Sequence, residues 1–295
     1  MRKYLRIFFA LSKRAVTSLF PRLAVNRNID NYGIYISRLK NKNGLEIGGP
    51  SNIFRENDIL PVYPFIANLD DYSFNRPVEH RGRLLREGFT YEYSKYKKKG
   101  YQYIGDAVDL AQIADNTYDF VMGSHISEHI ANLFKAFGEW LRVLKDGGAI
   151  LLVIPHKDGT FDHRRPVTPI GHLIEDYRND TKEDNLSHLE EVLSLTDIDR
   201  DPFVPDIDFL ITRSKNNSSI RAMHHHVFDT SLVVSIFDYF KLQILALDQV
   251  MPHHIIILGE KVSGKRSVDN SLFTGRNAAY RNTSPFPSDR LKHGA

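Results

Sequence analysis

The segment PHKDGTFDHRRPVTP, residues 155–169, follows the apolar run AILLVI and crowds chemical groups into a short loop. Between Pro155 and Pro166 stand two histidines (His156, His163), two aspartates (Asp158, Asp162), one lysine and two arginines (Arg164, Arg165). An imidazole titrating near neutrality can take a hydroxyl proton, and a carboxylate can fix its tautomer. A guanidinium fork grips carboxylate or phosphate through two bonds. The loop therefore offers a base, an orienting acid and an anion clamp. His163 is the first choice of base, with His125 and His156 as alternates. Asp158 and Asp162 are the candidate orienters, and Arg164 and Arg165 the candidate clamp. The ordinary alternative is a solvated loop whose prolines only shape a turn. A second cluster, His224-His225-His226, would send its outer members one way and His225 the other in extended chain. His225 and His226 are taken as substrate-binding candidates. With Asp158, Asp162 or His163 these histidines could also hold a metal, but the spacing matches no metal motif and none is assigned. His253-His254 begins a strand and reads as structural.

These groups need elements to position them. GLEIGG (44–49) reads as a short buried strand entering a glycine turn. PFIANLDDYSF (64–74), YQYIGDAVDL (101–110) and YDFVMGSH (118–125) read as strands ending near Asp70-Asp71, Asp106 and Ser124-His125. Residues 126–148 show helical periodicity through Ile130, Leu133, Phe137, Leu141 and Leu144, stopping at Gly147-Gly148. AILLVIP (149–155) is apolar throughout, as a strand buried on both faces is. Residues 156–226 break this rhythm, with one helix-like stretch over 182–195 in which Glu183, Asp184 and His188 can share a side. DTSLVVSIFDYF (229–240) starts at a capping Asp-Thr-Ser, and KLQILALDQV and HHIIILGEKV close the pattern. The alternation predicts an α/β fold: a Rossmann-like, mostly parallel sheet of seven strands with an antiparallel edge, helices on both faces and a polar substrate-binding insertion.

In such a sheet ligands bind at the carboxyl ends of the strands. The first strand brings Glu46, Gly48, Gly49 and Pro50 there. The second brings Asp70 or Asp71, close to the spacing of about 20 residues at which an acid meets a ribose hydroxyl. GGPS is not G-x-G-x-x-G, so a pyrophosphate cofactor lacks its loop. The joint order in LEIGGPSNIF, NLDDYSF, IGDAVDLAQIADNTYDFVMGSHISEHI and EWLRVLKDGGAILLVIP resembles class I S-adenosylmethionine-dependent methyltransferases of the type 11 kind. The resemblance covers about 44–155 and the terminal strands, and departs at Pro50, where the family has another glycine. It implies S-adenosylmethionine as cofactor, with Glu46 and Gly48 beside the methionine moiety and Asp70 on the ribose. Asp106 and Ala107 would lie at the adenine edge, with Ser124 and His125 near the methyl donor. A sulfonium cofactor needs no phosphate loop, which disfavours a nicotinamide dehydrogenase.

The region 156–226 is then expected to cover the substrate. Its acids, histidines and arginines suit a polyhydroxylated, anionic acceptor, and the region is loosely similar to methyltransferases of bacterial surface-polysaccharide synthesis. The leading reading is O-methylation of a saccharide or related polar small molecule. The rivals are nitrogen or other small-metabolite methylation, or a catalytically silent scaffold.

The chain has 295 residues, 42% hydrophobic, a formal net charge of +3 and no cysteine. That suits one large domain, here 40–262, without disulfides or thiolate metal sites, in a reducing, cytoplasmic setting. No global field or amino-methylation motif points to nucleic acid. Residues 1–25 are expected to form a basic amphipathic helix, with Arg2, Lys3, Arg6, Lys13 and Arg14 on one side and Leu5, Phe8, Phe9 and Val16 on the other. The charged pair Lys13-Arg14 leaves too short an apolar run to span a bilayer. The helix either packs on the domain or lies on a membrane surface. Residues 263–295 read as a weakly packed polar tail.

Overall fold

The structure is a computed structural model that describes residues 29–75, 84–264 and 266–290. The amphipathic helix expected over 1–25 lies outside the described residues.

Eight strands form one sheet: β1 (Asn43–Ile47), β2 (Asn68–Ser73), β3 (Gly88–Tyr91), β4 (Gly100–Ile104), β5 (Tyr118–Ser124), β6 (Leu144–Pro155), β7 (Leu242–Val250) and β8 (His254–Lys261). Their order is β3-β4-β2-β1-β5-β6-β8-β7. The β4-β2-β1-β5-β6 block is parallel, and β8 runs antiparallel between β6 and β7. The parallel core and antiparallel edge expected from the alternation are both present. The additional strand is β3, paired antiparallel to β4.

Side chains of β6 alternate between two cores. Ile150, Leu152 and Ile154 join helices α2 (Leu133–Val143) and α7 (Thr230–Tyr239) through Phe137, Trp140, Val233 and Phe237. Leu151 and Val153 face α1 (Tyr32–Leu39) and the 53–66 loop through Tyr35, Leu39, Phe54 and Tyr63. Strand periodicity of two splits a continuous apolar run onto two buried faces. Asp229 caps α7 by accepting from Leu232 N at 2.7 Å, as its position before the apolar run predicts.

The helix expected up to Gly147-Gly148 is shorter. A single 3₁₀ turn covers Ser127–His129, Asn132 caps α2, and β6 begins at Leu144. Leu144 continues the helical spacing, but it pairs across to Tyr118, and Gly147 at φ +72° absorbs the irregularity before Ala149 pairs with Phe120.

The insertion carries α3 (Ile170–Arg178), α4 (Leu189–Leu195), α5 (Ile207–Lys215) and α6 (Asn217–Ile220). Val192, Val204, Leu210 and Met223 give it a small core of its own. Residues 182–188, expected to be helical, form turns that bury Glu183 instead.

The segment expected to be a weakly packed tail is docked over residues 266–290. Asn270 accepts from Ile244 N and donates to Leu242 O at 2.9 Å each, filling hydrogen bonds of the edge strand. Further on, Phe286 stacks on His156 with ring centroids 4.0 Å apart. Buried Asp289 gathers His156, Thr230 and Ser284. Among the described residues no helix is long and apolar enough to cross a membrane.

Candidate functional site

Two cavities open at the carboxyl edge of the sheet. The smaller, about 370 Å³, is lined by Gly48, Gly49 and Pro50 after β1, Phe74 after β2, Asp106 and Ala107 after β4, and His125 after β5. The larger, about 840 Å³, lies under the insertion and is lined by Phe161, Phe203, Phe209, Arg213 and His224, among others. His125 and His129 line both.

The first turn keeps its shape from below. The Glu46 carboxylate is fully buried, and it accepts from Ser51 N at 3.0 Å, Ser51 Oγ at 2.7 Å, and the Tyr63 and Tyr91 hydroxyls. Burial raises its pKa against the pull of these donors. A side chain at Gly49 would strike the Tyr91 hydroxyl and the Glu46 carboxylate, and Gly48 sits at φ +75°. Glycine is therefore required at position 49 by the lack of space and favoured at position 48 by the backbone conformation. Glu46, expected beside the methionine moiety, acts one layer beneath: it anchors the loop that lines the cleft and does not line it.

Neither acid of β2 reaches the cleft. Asp70 and Asp71 pair with Leu45 and Glu46, short of the edge that Tyr72 and Ile47 approach. Asp70 accepts from Tyr101 N at 2.7 Å and Tyr118 Oη at 2.8 Å. Buried Asp71 accepts from Gly49 N at 2.7 Å, Ser73 Oγ and Gln102 Nε2. Burial and then the Glu46 charge push the Asp71 pKa up to about 7. The ribose role expected of Asp70 thus has no geometric support, and Ser73 and Phe74 occupy that wall.

Asp106 and Ala107 line the smaller cavity. Trp140 Nε1 donates to Ala107 O at 3.2 Å, and Tyr72 Oη to Asp109 O at 2.7 Å, so the buried helix and strand fix this loop. Opposite, Arg221 bridges Asp106 at 2.7 Å and Glu183 at 3.0 Å, and lies over the Phe74 ring at 4.5 Å. No periodicity or motif marks Arg221 in the sequence. Ser124 ends β5 but lines neither cavity. His125 does line them, from a left-handed conformation with φ +53°, a backbone state costing a residue other than glycine roughly 1–2 kcal/mol. Its N–H donates to Val153 O at 2.8 Å, and its Nε2 meets His254 Nδ1 at 3.0 Å. Burial, followed by the neighbouring His254, His253 and His224, keeps the His125 pKa well below its ordinary value.

The loop 155–166 divides differently from expectation. His156 is fully buried, stacked on Phe286 and paired with Asp289 at 3.1 Å; it serves the core and not the reaction. Asp158 accepts from Ser288 N at 2.8 Å, a further tie to the docked tail. His163 points to Asp197 at 3.0 Å and lines neither cavity, and exposed Arg164 shares that acid at 3.3 Å. Arg165 is buried; it reaches Asp162 at 3.0 Å, Glu191 at 2.7 Å and His224 O at 3.0 Å. It holds the loop together, with no free fork for a substrate. Asp162 does orient an imidazole, and that imidazole is His224: Asp162 Oδ2 meets His224 Nδ1 at 2.5 Å. Burial pushes the Asp162 carboxyl up, but His224 and Arg165 outweigh it and hold the pKa below the usual value. His225 and His226 are buried away from both cavities, His225 against Asn217 at 3.0 Å and His226 against Ala131 O at 3.2 Å.

Sequence reasoning passed over His129 and His224 as site residues. His224 was legible only as part of a histidine run, and alternation put it beside His226, whereas it faces the larger cavity with its ring 4.7 Å from that of His129.

Residues 89–152, from β3 into β6, match a family model described as a methyltransferase domain. This match agrees with the enzyme class expected from the sequence, a methyltransferase. No curated protein matches the chain. Similar solved structures include a SAM-dependent methyltransferase from Aquifex aeolicus, at 10% identity, covering 84% of this chain and 98% of that one with a TM-score of 0.41. Another, from Methanosarcina mazei, has 15% identity, 78% and 98% coverage and a TM-score of 0.43. A third, from Thermotoga maritima, has 15% identity, 85% and 96% coverage and a TM-score of 0.40.

Proposed function

We propose that the chain methylates a hydroxyl of a polar small-molecule acceptor, a saccharide being the best fit, with S-adenosylmethionine in the smaller cavity and the acceptor in the larger. The observation that carries this reading is the shared wall. His125 and His129 line both cavities, so a donor in one and an acceptor in the other would face each other there. The smaller cavity falls within the range of about 300–1,000 Å³ usual for ligand sites. Gly48, Gly49 and Pro50 would pass close to the donor, and Asp106 and Ala107 would border it. When bound, S-adenosylmethionine supplies an electrophilic methyl group.

The chain's own residues supply alignment and a base. With His224 Nδ1–H donated to Asp162, Nε2 is the basic nitrogen that receives the acceptor's hydroxyl proton. Arg165, bound to Asp162 and to the His224 carbonyl, fixes this pair. Phe161, Phe203 and Phe209 offer apolar faces while Arg200, Asp201 and Arg213 offer polar ones. A pyranose ring presents both kinds of surface.

The test has two arms. Equilibrium titration with S-adenosylmethionine, with Asp106→Ala as the weakened variant, examines the donor cleft. Incubation with methyl-labelled donor and a panel of sugars, nucleotide-sugars, amines and small metabolites then reads the acceptor. Donor binding without transfer to any hydroxyl, coupled with transfer to an amine, would replace oxygen by nitrogen as the methylated atom. Failure of the wild-type protein to bind the donor would leave the scaffold reading in its place.

A further inference from the structure

We propose that His172, Asp176 and His226 bind one zinc-like divalent cation that clamps the insertion to the body of the fold. His172 and Asp176 lie four residues apart on α3, so they share a face. His188 directly precedes α4, and His226 lies in the extended segment that leads to α7. His172 Nε2 is 2.9 Å from His188 Nε2 and 3.3 Å from Asp176 Oδ2. His226 Nε2 is 4.0 Å from the same carboxylate oxygen. One donor atom from each of His172, Asp176 and His226 falls within 4.8 Å of the others. Zinc at about 2.0–2.1 Å from each ligand in a tetrahedron separates ligand atoms by roughly 3.3 Å. The 3.3 and 4.0 Å separations of Asp176 Oδ2 from the His172 and His226 nitrogens lie at that spacing and somewhat beyond it.

One buried atom supports an ion over a plain hydrogen-bonded cluster. Asp176 Oδ2 is buried and accepts no hydrogen bond. A buried carboxylate oxygen left in that state is unfavourable, and a bound cation would satisfy it. Behind the cluster, Asn132 Nδ2 donates to the Asp176 backbone carbonyl at 3.1 Å. Backbone and amide partners of this sort hold metal-site residues in place. None of these three residues lines either cavity. Lying away from both cavities, the site is structural: it joins α3 to the strand-like segment running into the core.

The competing account is a simple N–H···N bond between His172 and His188, under which no ion is held. The full chain, stripped with chelator and dialysed, is titrated with zinc against a chromophoric competitor, and separately with cobalt(II). We expect one equivalent bound at submicromolar affinity, visible cobalt ligand-field bands of a tetrahedral nitrogen–oxygen site, and a higher melting midpoint with zinc than with chelator. Asp176→Asn, close in shape, and His172→Ala should each weaken zinc about tenfold or more and remove the chelator effect. Absence of stoichiometric zinc binding by the wild type would overturn the proposal. Loss of the ion in His129→Ala with retention in both Asp176→Asn and His172→Ala would also overturn it, because the ion would then sit with Glu128, His129 and His224. Should His172→Ala not fold, Asp176→Asn and the wild-type cobalt spectrum decide.

Discussion

Asp162 holds an imidazole and a guanidinium at once, and its two neighbours separate catalysis from stability. Replacing His224 by Ala is expected to lower turnover about 10²-fold or more while the dissociation constant of S-adenosylmethionine stays unchanged. Asp162→Asn should also slow turnover strongly, because the amide no longer enforces the Nδ1–H tautomer. Arg165→Ala should act on stability: it strands buried Asp162 without its guanidinium, a loss on the order of 3–5 kcal/mol seen as a lower urea midpoint. His163→Ala, by contrast, touches only a surface pair and should leave turnover near wild type. Steady-state kinetics of the three histidine and arginine variants separate these cases; full turnover in His224→Ala would remove the base assignment. A pH effect belongs to Asp71. With its pKa pushed up to about 7 in the fold, it keeps a proton that the unfolded chain releases near its ordinary value of about 4. Its contribution to stability is therefore full below about pH 4 and is lost as pH rises through about 7. Asp71→Asn should flatten the pH dependence of the urea midpoint across that window, and an unchanged slope would mean another group is responsible.

The elements that the sequence announces are those whose burial is hydrophobic. β1, β5, β6 and α7 follow from apolar runs, and Asp229 marks its own cap. Elements held by polar contacts stay hidden. The docked tail is secured by Asn270 and Asp289, residues that look like solvent-seeking ones until a buried partner is in view. β3 is short, exposed and at an edge, so it carries no apolar pattern. The strand-end rule picked out Gly48, Gly49, Pro50, Asp106, Ala107 and His125, which line the smaller cavity, because those positions depend on topology alone. It failed at Asp70 because register decides how close a residue lies to the edge, and register is not visible in one strand. It failed at Arg221 and His224 because each depends on where a long insertion folds back. One prediction belongs here. Truncation after residue 265 should lower the melting midpoint by several degrees, since Phe286 and Asp289 would no longer cover His156. An unchanged midpoint would show that the docking adds no stability.

At the scale of the whole molecule, β8 lies between β6 and β7 and pairs with both. This order has a consequence for synthesis. When the ribosome has made residues up to β7, β6 has no neighbour on its outer side and β7 has no partner in the sheet at all. Both strands hold rows of unpaired peptide groups, and β6 is apolar on both faces, a combination that favours association with other chains. Only when residues 254–261 emerge do both strands acquire their neighbour, in one event. Nascent chains arrested so that β8 is still within the exit tunnel should be cut readily by protease and should bind chaperones. Chains arrested a few tens of residues later should resist both. A gradual rise in protection along the intervening lengths, in place of a step, would show that the sheet does not wait for its last strand.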